Sequence, residues 1–157
     1  MGDSTVAEPL RPGEVLARVP QRPPFRFVDE LIELGDERVV GAYRWDPQAD
    51  FYRGHFPGNP VTPGVLLVEC MAQCGVVPLA LHLFHRDLAA AEALRMQTLF
   101  TDADVEFSGI VRPGERVQVV SQLDFYRRRK LRVHARMTRE DGELVCSGKL
   151  AGIGVLS

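Results

Sequence analysis

Between Phe56 and Leu81 every side chain is apolar or uncharged except Glu69, and this run separates two regions of different rhythm. On its N-terminal side, Phe25–Leu34 reads as a strand, Gly35 and Asp36 as a turn, and Arg38–Trp45 as a second strand. On its C-terminal side the period is two. Val117, Val119, Ser121, Leu123 and Phe125 alternate with a second set of positions, and after a basic turn Leu131, Val133, Ala135 and Met137 do the same. Glu140-Asp141-Gly142 supplies another turn and Leu144–Ile153 a last strand, while Asp102 and Asp104 read as turn residues ahead of a strand. Strands with one dry and one wet face belong to an antiparallel sheet.

The apolar run itself predicts a helix, with Thr62 as N-cap, Pro63 at the first helical position and Val65–Leu83 apolar nearly all round. Such a helix has to be wrapped by other structure. Pro78 lacks a backbone donor and is expected to kink or end the helix within its preceding turn. The alanine-rich stretch from Arg86 to Met96 is helix-prone. Residues 1–12 read as a flexible tail and Gly13–Val19 as a short helix stopped by prolines. The sum is an α+β fold, a curved antiparallel sheet around a long central helix, in a single domain over 13–157.

Composition narrows the function classes. With 45% hydrophobic and 25% charged residues in 157, the chain suits a soluble globular domain with a sizeable core. Nineteen basic against 21 acidic groups speak against a globally basic nucleic-acid binder. Yet seven of the basic residues (Arg127, Arg128, Arg129, Lys130, Arg132, Arg136 and Arg139) crowd one hairpin without an acid between Phe125 and Arg139. That is either a patch for an acidic partner or a solvated surface. Three cysteines without paired spacing, and no basic-then-apolar leader, predict a reduced, cytoplasmic setting. Gly64–Phe84 is long enough to span a membrane, but a central acid costs about 2.5–3.5 kcal/mol on insertion scales, so no membrane span is expected. His82 and His85 lack companion ligands, and no metal is expected.

Candidate chemistry gathers around the start of the long helix. Glu69 and Gln73 are four apart and share a helical face. His55 stands upstream in a loop whose prolines limit its freedom. Gly64 leaves a backbone N–H unobstructed in the first turn, where unpaired donors and the helix dipole favour a polarised carbonyl oxygen. A base, an acid whose pKa burial would raise, and an oxyanion site together suit removal of a proton α to a carbonyl with loss of a β group. Taken singly, each residue has a structural explanation.

The stretch His55-Phe56-Pro57-Gly58-Asn59-Pro60-Val61, then Pro63-Gly64-Val65-Leu66 and Glu69-x-Met71-Ala72-Gln73, resembles the FabZ-type 3-hydroxyacyl-[acyl-carrier-protein] dehydratases of the hotdog fold. Val19–Asp29 resembles that family's opening segment and Val105–Glu115 its later strand and turn, so the likeness spans roughly residues 14–155. The resemblance implies His55 as base for the α proton, Glu69 as acid for the 3-hydroxyl, the Gly64 N–H on the thioester carbonyl and Gln73 positioning Glu69. It implies that His55 and Glu69 of one site come from different chains of a homodimer, alone or within a dimer of dimers or trimer of dimers, or with a hotdog heteropartner. It implies no cofactor, an apolar acyl tunnel with Phe56, Pro57 and Val65 as lining candidates, and an acyl carrier protein whose phosphopantetheine arm delivers substrate. Arg127, Arg128, Arg129 and Lys130 are the candidate carrier patch. Glutamine at position 21, where the family commonly has histidine, and the alanine-rich Pro78–Thr101 depart from the family pattern; they suit a specialised polyketide, polyene or lipid pathway as well as general fatty-acid synthesis. A hotdog acyl-thioesterase and a non-catalytic acyl-binding subunit are the alternatives.

Overall fold

A computed structural model describes residues 7–157. Helix α1 (Pro12–Arg18) precedes strands β1 (Glu30–Leu34) and β2 (Arg38–Arg44) and a 3-10 turn at Asp50–Arg53. The central helix follows in three continuous parts: α2 (Gly64–Met71), a π-helical turn (Ala72–Val76) and α3 (Val77–Asp87). A short α4 (Ala90–Ala93) leads to β3 (Met96–Phe107), β4 (Arg116–Arg127), β5 (Lys130–Arg139) and β6 (Leu144–Leu156). The strands form one antiparallel sheet in the order β1-β2-β4-β5-β6-β3. This is the curved antiparallel sheet around a long helix expected from the pattern, and the hotdog arrangement that the resemblance implies.

The core lies between helix and sheet. Leu67, Met71, Leu79, Leu83 and Phe84 of the helix are buried in one cluster with Val117, Val119, Leu131, Val133 and Met137. Each such side chain contributes roughly 1.5–3 kcal/mol relative to exposure, enough to hold a helix with little polar surface in the curl of the sheet. The helix of 24 residues from Gly64 to Asp87 has the length and hydropathy of a membrane span, but 67% of its most apolar window is buried within the fold. Two glycines let the middle of the helix approach the sheet closely. A Cβ on Gly41 would come within 2.7 Å of the Cys74 Cβ, and one on Gly75 would run into the Ser121 hydroxyl.

Several elements differ from the sequence expectation. The first strand begins only at Glu30, because the backbone of Phe25 and Phe27 bonds to the Gln73 side chain instead of a neighbouring strand. The helix begins at Gly64, with Pro63 as N-cap, since the Thr62 hydroxyl is committed to Tyr52. Pro78 does not end the helix; the π turn before it absorbs the missing donor. The helix-prone stretch from Arg86 breaks at an extended Leu88, leaving only a four-residue α4 before the chain joins the sheet at Met96. Asp102 and Asp104 consequently lie inside β3, not in a turn before it. Of the expected tail, residues 1–6 lie outside the described residues, and Pro12 already opens α1.

Candidate active site

The loop from Arg53 to Pro63 is pinned at both ends. His55 N–H donates to the Phe51 carbonyl at 3.0 Å, the Val61 N–H donates to the His55 carbonyl at 3.0 Å, and the Thr62 N–H donates to the Val111 carbonyl at 2.8 Å. Tyr52 and Thr62 share a buried hydroxyl–hydroxyl bond of 2.7 Å. Phe56 and Asn59 exchange backbone bonds across a turn in which Gly58 takes a φ of +74°, a conformation that side chains rarely adopt. The half-buried His55 ring stacks on Phe56, with centroids 4.1 Å apart.

This fixes the imidazole tautomer. His55 Nδ1 lies 2.9 Å from the Val61 carbonyl oxygen, which can only accept, so Nδ1 carries the hydrogen. In the neutral ring Nε2 then holds the lone pair, the form a general base needs.

Gly64, the first residue of α2, lies under the ring of Phe107; an added Cβ would meet ring atoms at 3.3 Å. Nothing in the sequence paired Phe107 with that helix terminus. One turn further on, Glu69 is half-buried, and its Oε1 accepts from Gln73 Nε2 at 2.9 Å. Burial pushes the Glu69 carboxyl above the ordinary carboxylate range, while the Gln73 amide pulls in the opposite direction. Gln73 is itself fully buried; its Nε2 also donates to the Phe25 carbonyl at 3.1 Å, and its Oε1 accepts from the Phe27 N–H at 2.6 Å. The proline-flanked segment and the acid are therefore held by one side chain, a connection the helical spacing of Glu69 and Gln73 did not reveal.

Among the described residues no hydrogen bond or ion pair joins His55 to Glu69 within the chain. Phe56 and Val65 are 52% and 78% exposed, and Pro57 is exposed too, so these three sit on the surface of the single chain. Beside the Phe25–Phe27 segment, Phe27, Tyr43, Trp45 and Phe51 form a contiguous aromatic cluster. A cavity of about 340 Å³ opens against it, between Pro23, Pro24 and Phe51. Desolvation there pushes the Tyr43 hydroxyl up to about 12.

The basic hairpin is less uniform than its sequence. Arg128 and Arg129 occupy its tip in left-handed conformations, φ 52° and 64°. Arg129 pairs with Glu92, and Lys130 and Arg132 each lie 3.7 Å from Asp102. Arg127 and Arg128 have no ion-pair partner among the described residues. Cys70, Cys74 and Cys146 are buried free thiols, and His82, 7% exposed, bonds Asp36 at 2.7 Å through Nε2.

A FabA-like domain matches residues 19–151, which is most of the chain. The chain belongs to the FabA-like family. It is 36% identical over 139 residues to the 3-hydroxyacyl-[acyl-carrier-protein] dehydratase FabZ of Chloroflexus aggregans, covering 87% of this chain and 90% of that one. It is 39% identical over 134 residues to the FabZ of Thermomicrobium roseum, covering 84% of each. Among solved structures it is similar to the dehydratase heterocomplex ApeI:P from Xenorhabdus doucetiae, with TM-score 0.72, 15% identity and coverage of 93% and 92%. A hypothetical thioesterase with coenzyme A from Streptococcus pneumoniae aligns with TM-score 0.57, 11% identity and coverage of 82% and 86%. At those identities the two structures speak for the fold alone.

Proposed function

We propose that this chain dehydrates 3-hydroxyacyl thioesters carried on an acyl carrier protein to trans-2-enoyl thioesters. The observation that carries the mechanism is the Nδ1–H donation from His55 to Val61, which leaves Nε2 free as the base. Nε2 takes the proton from C2, the electron pair forms the C2–C3 double bond, and the C3–O bond breaks. Glu69, kept protonated toward higher pH by burial, gives its proton to the departing hydroxyl, which leaves as water. The proton on His55 then returns to Glu69. The Gly64 N–H, in the first turn of α2, binds the thioester oxygen as negative charge gathers on it. Gln73 orients the carboxyl, and Phe56, Pro57 and Val65 line the acyl path.

The site is completed by two chains, His55 from one and Glu69 from the other. Strand β3 is an open sheet edge with Leu99, Phe100 and Phe107 exposed, and Val65 is exposed on α2. Apolar side chains on an unpaired edge favour addition of another chain. The second chain is a copy of this one or a related hotdog subunit. Arg127 and Arg128, which have no ion-pair partner among the described residues, are the groups proposed to meet an acidic carrier. The setting is cytoplasmic, in fatty-acid or specialised polyketide or polyene synthesis.

Supplied with 3-hydroxyacyl carrier protein, the purified protein is expected to raise enoyl absorbance, and His55→Ala and Glu69→Gln each to abolish the rise. Release of free thiol without enoyl product would replace dehydration by thioester hydrolysis. Co-expression of the two inactive variants gives mixed dimers in which one site carries both changes and the other neither, so activity returns to about a quarter of wild type. No recovery in mixed dimers confirmed by native mass spectrometry would overturn the two-chain site.

A further inference from the structure

Strand β3 is the last strand at one end of the sheet, hydrogen-bonded to β6 on one side and open on the other among the described residues. Past the bulge between Phe100 and Asp102, alternate side chains take opposite faces. Val105 packs on the core and Phe107 covers Gly64, so Asp102, Asp104 and Glu106 share the outer face. Asp102 is held by the Thr101 hydroxyl at 2.9 Å and by Lys130 and Arg132. Across the ladder Asp104 faces Lys149 and Glu106 faces Ser147, with His134 and Arg136 one strand further in. Neither Asp104 nor Glu106 has an ion pair among the described residues. All of these bases lie on the β6 side. On the open side, the two carboxylates meet whatever strand is added.

Two-fold antiparallel pairing of identical strands sets same-face residues directly opposite one another. Any register whose axis falls between Asp102 and Glu106 therefore places an acid of one chain against an acid of the other. Like charges directly opposite are destabilising, and the effect repeats at each symmetric pair. A strand with lysine or arginine at those positions turns the same contacts favourable.

We infer that the β3 edge selects, over a second copy of this chain, a strand from a different hotdog chain that carries basic side chains opposite Asp104 and Glu106. This inference rests on the two-chain reading of the active site and names the kind of partner that completes it. Charge at an interface of this type repels a second copy as well as attracting the correct partner.

The test uses the full chain and a charge-reversed copy, Asp104→Lys with Glu106→Lys, co-expressed under different tags and weighed by native mass spectrometry. Mixed dimers are expected to exceed both homodimers, with a preference of about tenfold that falls as salt rises. The neutral variant, Asp104→Asn with Glu106→Gln, is expected to self-associate several-fold more tightly than wild type, and it guards against misfolding of the reversed chain. Statistical mixing, together with wild-type self-association as tight as that of the neutral variant, would overturn the inference. In that case recovery of activity from His55→Ala with Glu69→Gln would leave the two-chain site standing. With His55→Ala on the wild-type edge and Glu69→Gln on the charge-reversed one, a strong mixed-dimer preference without recovered activity would instead keep the edge and discard the shared site.

Discussion

Replacing Gln73 with leucine removes the side chain that, among the described residues, links the candidate acid to the segment beside it. The leucine fills similar volume but loses all three bonds, to Phe27 N–H at 2.6 Å, Phe25 carbonyl at 3.1 Å and Glu69 Oε1 at 2.9 Å. Each stranded backbone group costs about 1–3 kcal/mol if it stays buried. Some relief comes if residues 25–27 swing toward water, so a net loss of about 2–4 kcal/mol is expected. For a chain of this size that lowers Tm by about 4–16 °C. Chemistry should move as well. The Gln73 amide holds the Glu69 pKa down against the upward push of burial, so its removal lets that pKa climb. The acid then stays protonated to higher pH, and the alkaline limb of kcat/KM shifts upward while kcat falls for want of orientation. Thermal denaturation followed by circular dichroism, with a pH–rate profile, reads both effects. A Gln73→Leu enzyme with wild-type Tm and an unmoved alkaline limb would refute the clamp.

Glu69→Gln tests the same carboxyl through stability. Its folded pKa is raised, so the native state binds the proton more tightly; stability is full below the unfolded value and is lost as pH rises through the folded one. The variant should therefore outlast wild type in urea at about pH 8, with the gap closing toward about pH 4; a constant gap would remove burial as the cause. Gly75→Ala drives a Cβ into Ser121 and should cost about 1–3 kcal/mol, whereas Ser121→Ala should be nearly neutral because its buried hydroxyl has no hydrogen-bond partner among the described residues. Combining Gly75→Ala with Ser121→Gly should recover part of the loss, and strictly additive urea midpoints would show that the two residues do not touch.

The alternation in 117–137 and the uninterrupted apolar run after Pro63 made the sheet and its central helix readable, since both patterns follow from which face is dry. His55, Gly64, Glu69 and Gln73 stood out because a lone acid in an apolar helix and a proline-bound histidine are costly without a use. Other parts depend on long-range partners. The extended path of Phe25–Asp29 has strand composition, yet a glutamine nearly fifty residues away takes its hydrogen bonds. Strand β3 has no dry face of its own until β6 and Phe107's contact with α2 supply one, so its aspartates look like turn residues. Alanine propensity in 89–93 amounts to one turn, and without a long apolar stripe tertiary contacts decide where it stops.

The irregular middle of the helix ties these observations together. Pro78 offers no N–H to the carbonyl of Cys74, four residues back, so a regular ladder would leave that carbonyl unpaired. The chain instead widens at Ala72–Val76, where the Val77 N–H reaches back to the Ala72 carbonyl. Such an extra residue re-aims the side chains around it, which is why π turns recur at functional sites. Here the re-aimed residue is Gln73, and the same turn holds Gly75 against Ser121 and Cys74 against Gly41. The helix is pressed closely onto the sheet where its hydrogen-bonding is least regular, and the side chain that positions Glu69 emerges from that point. Packing changes at Gly75 or Gly41, remote from the reacting atoms, should therefore be felt in the orientation of Glu69 before they are felt in the fold as a whole.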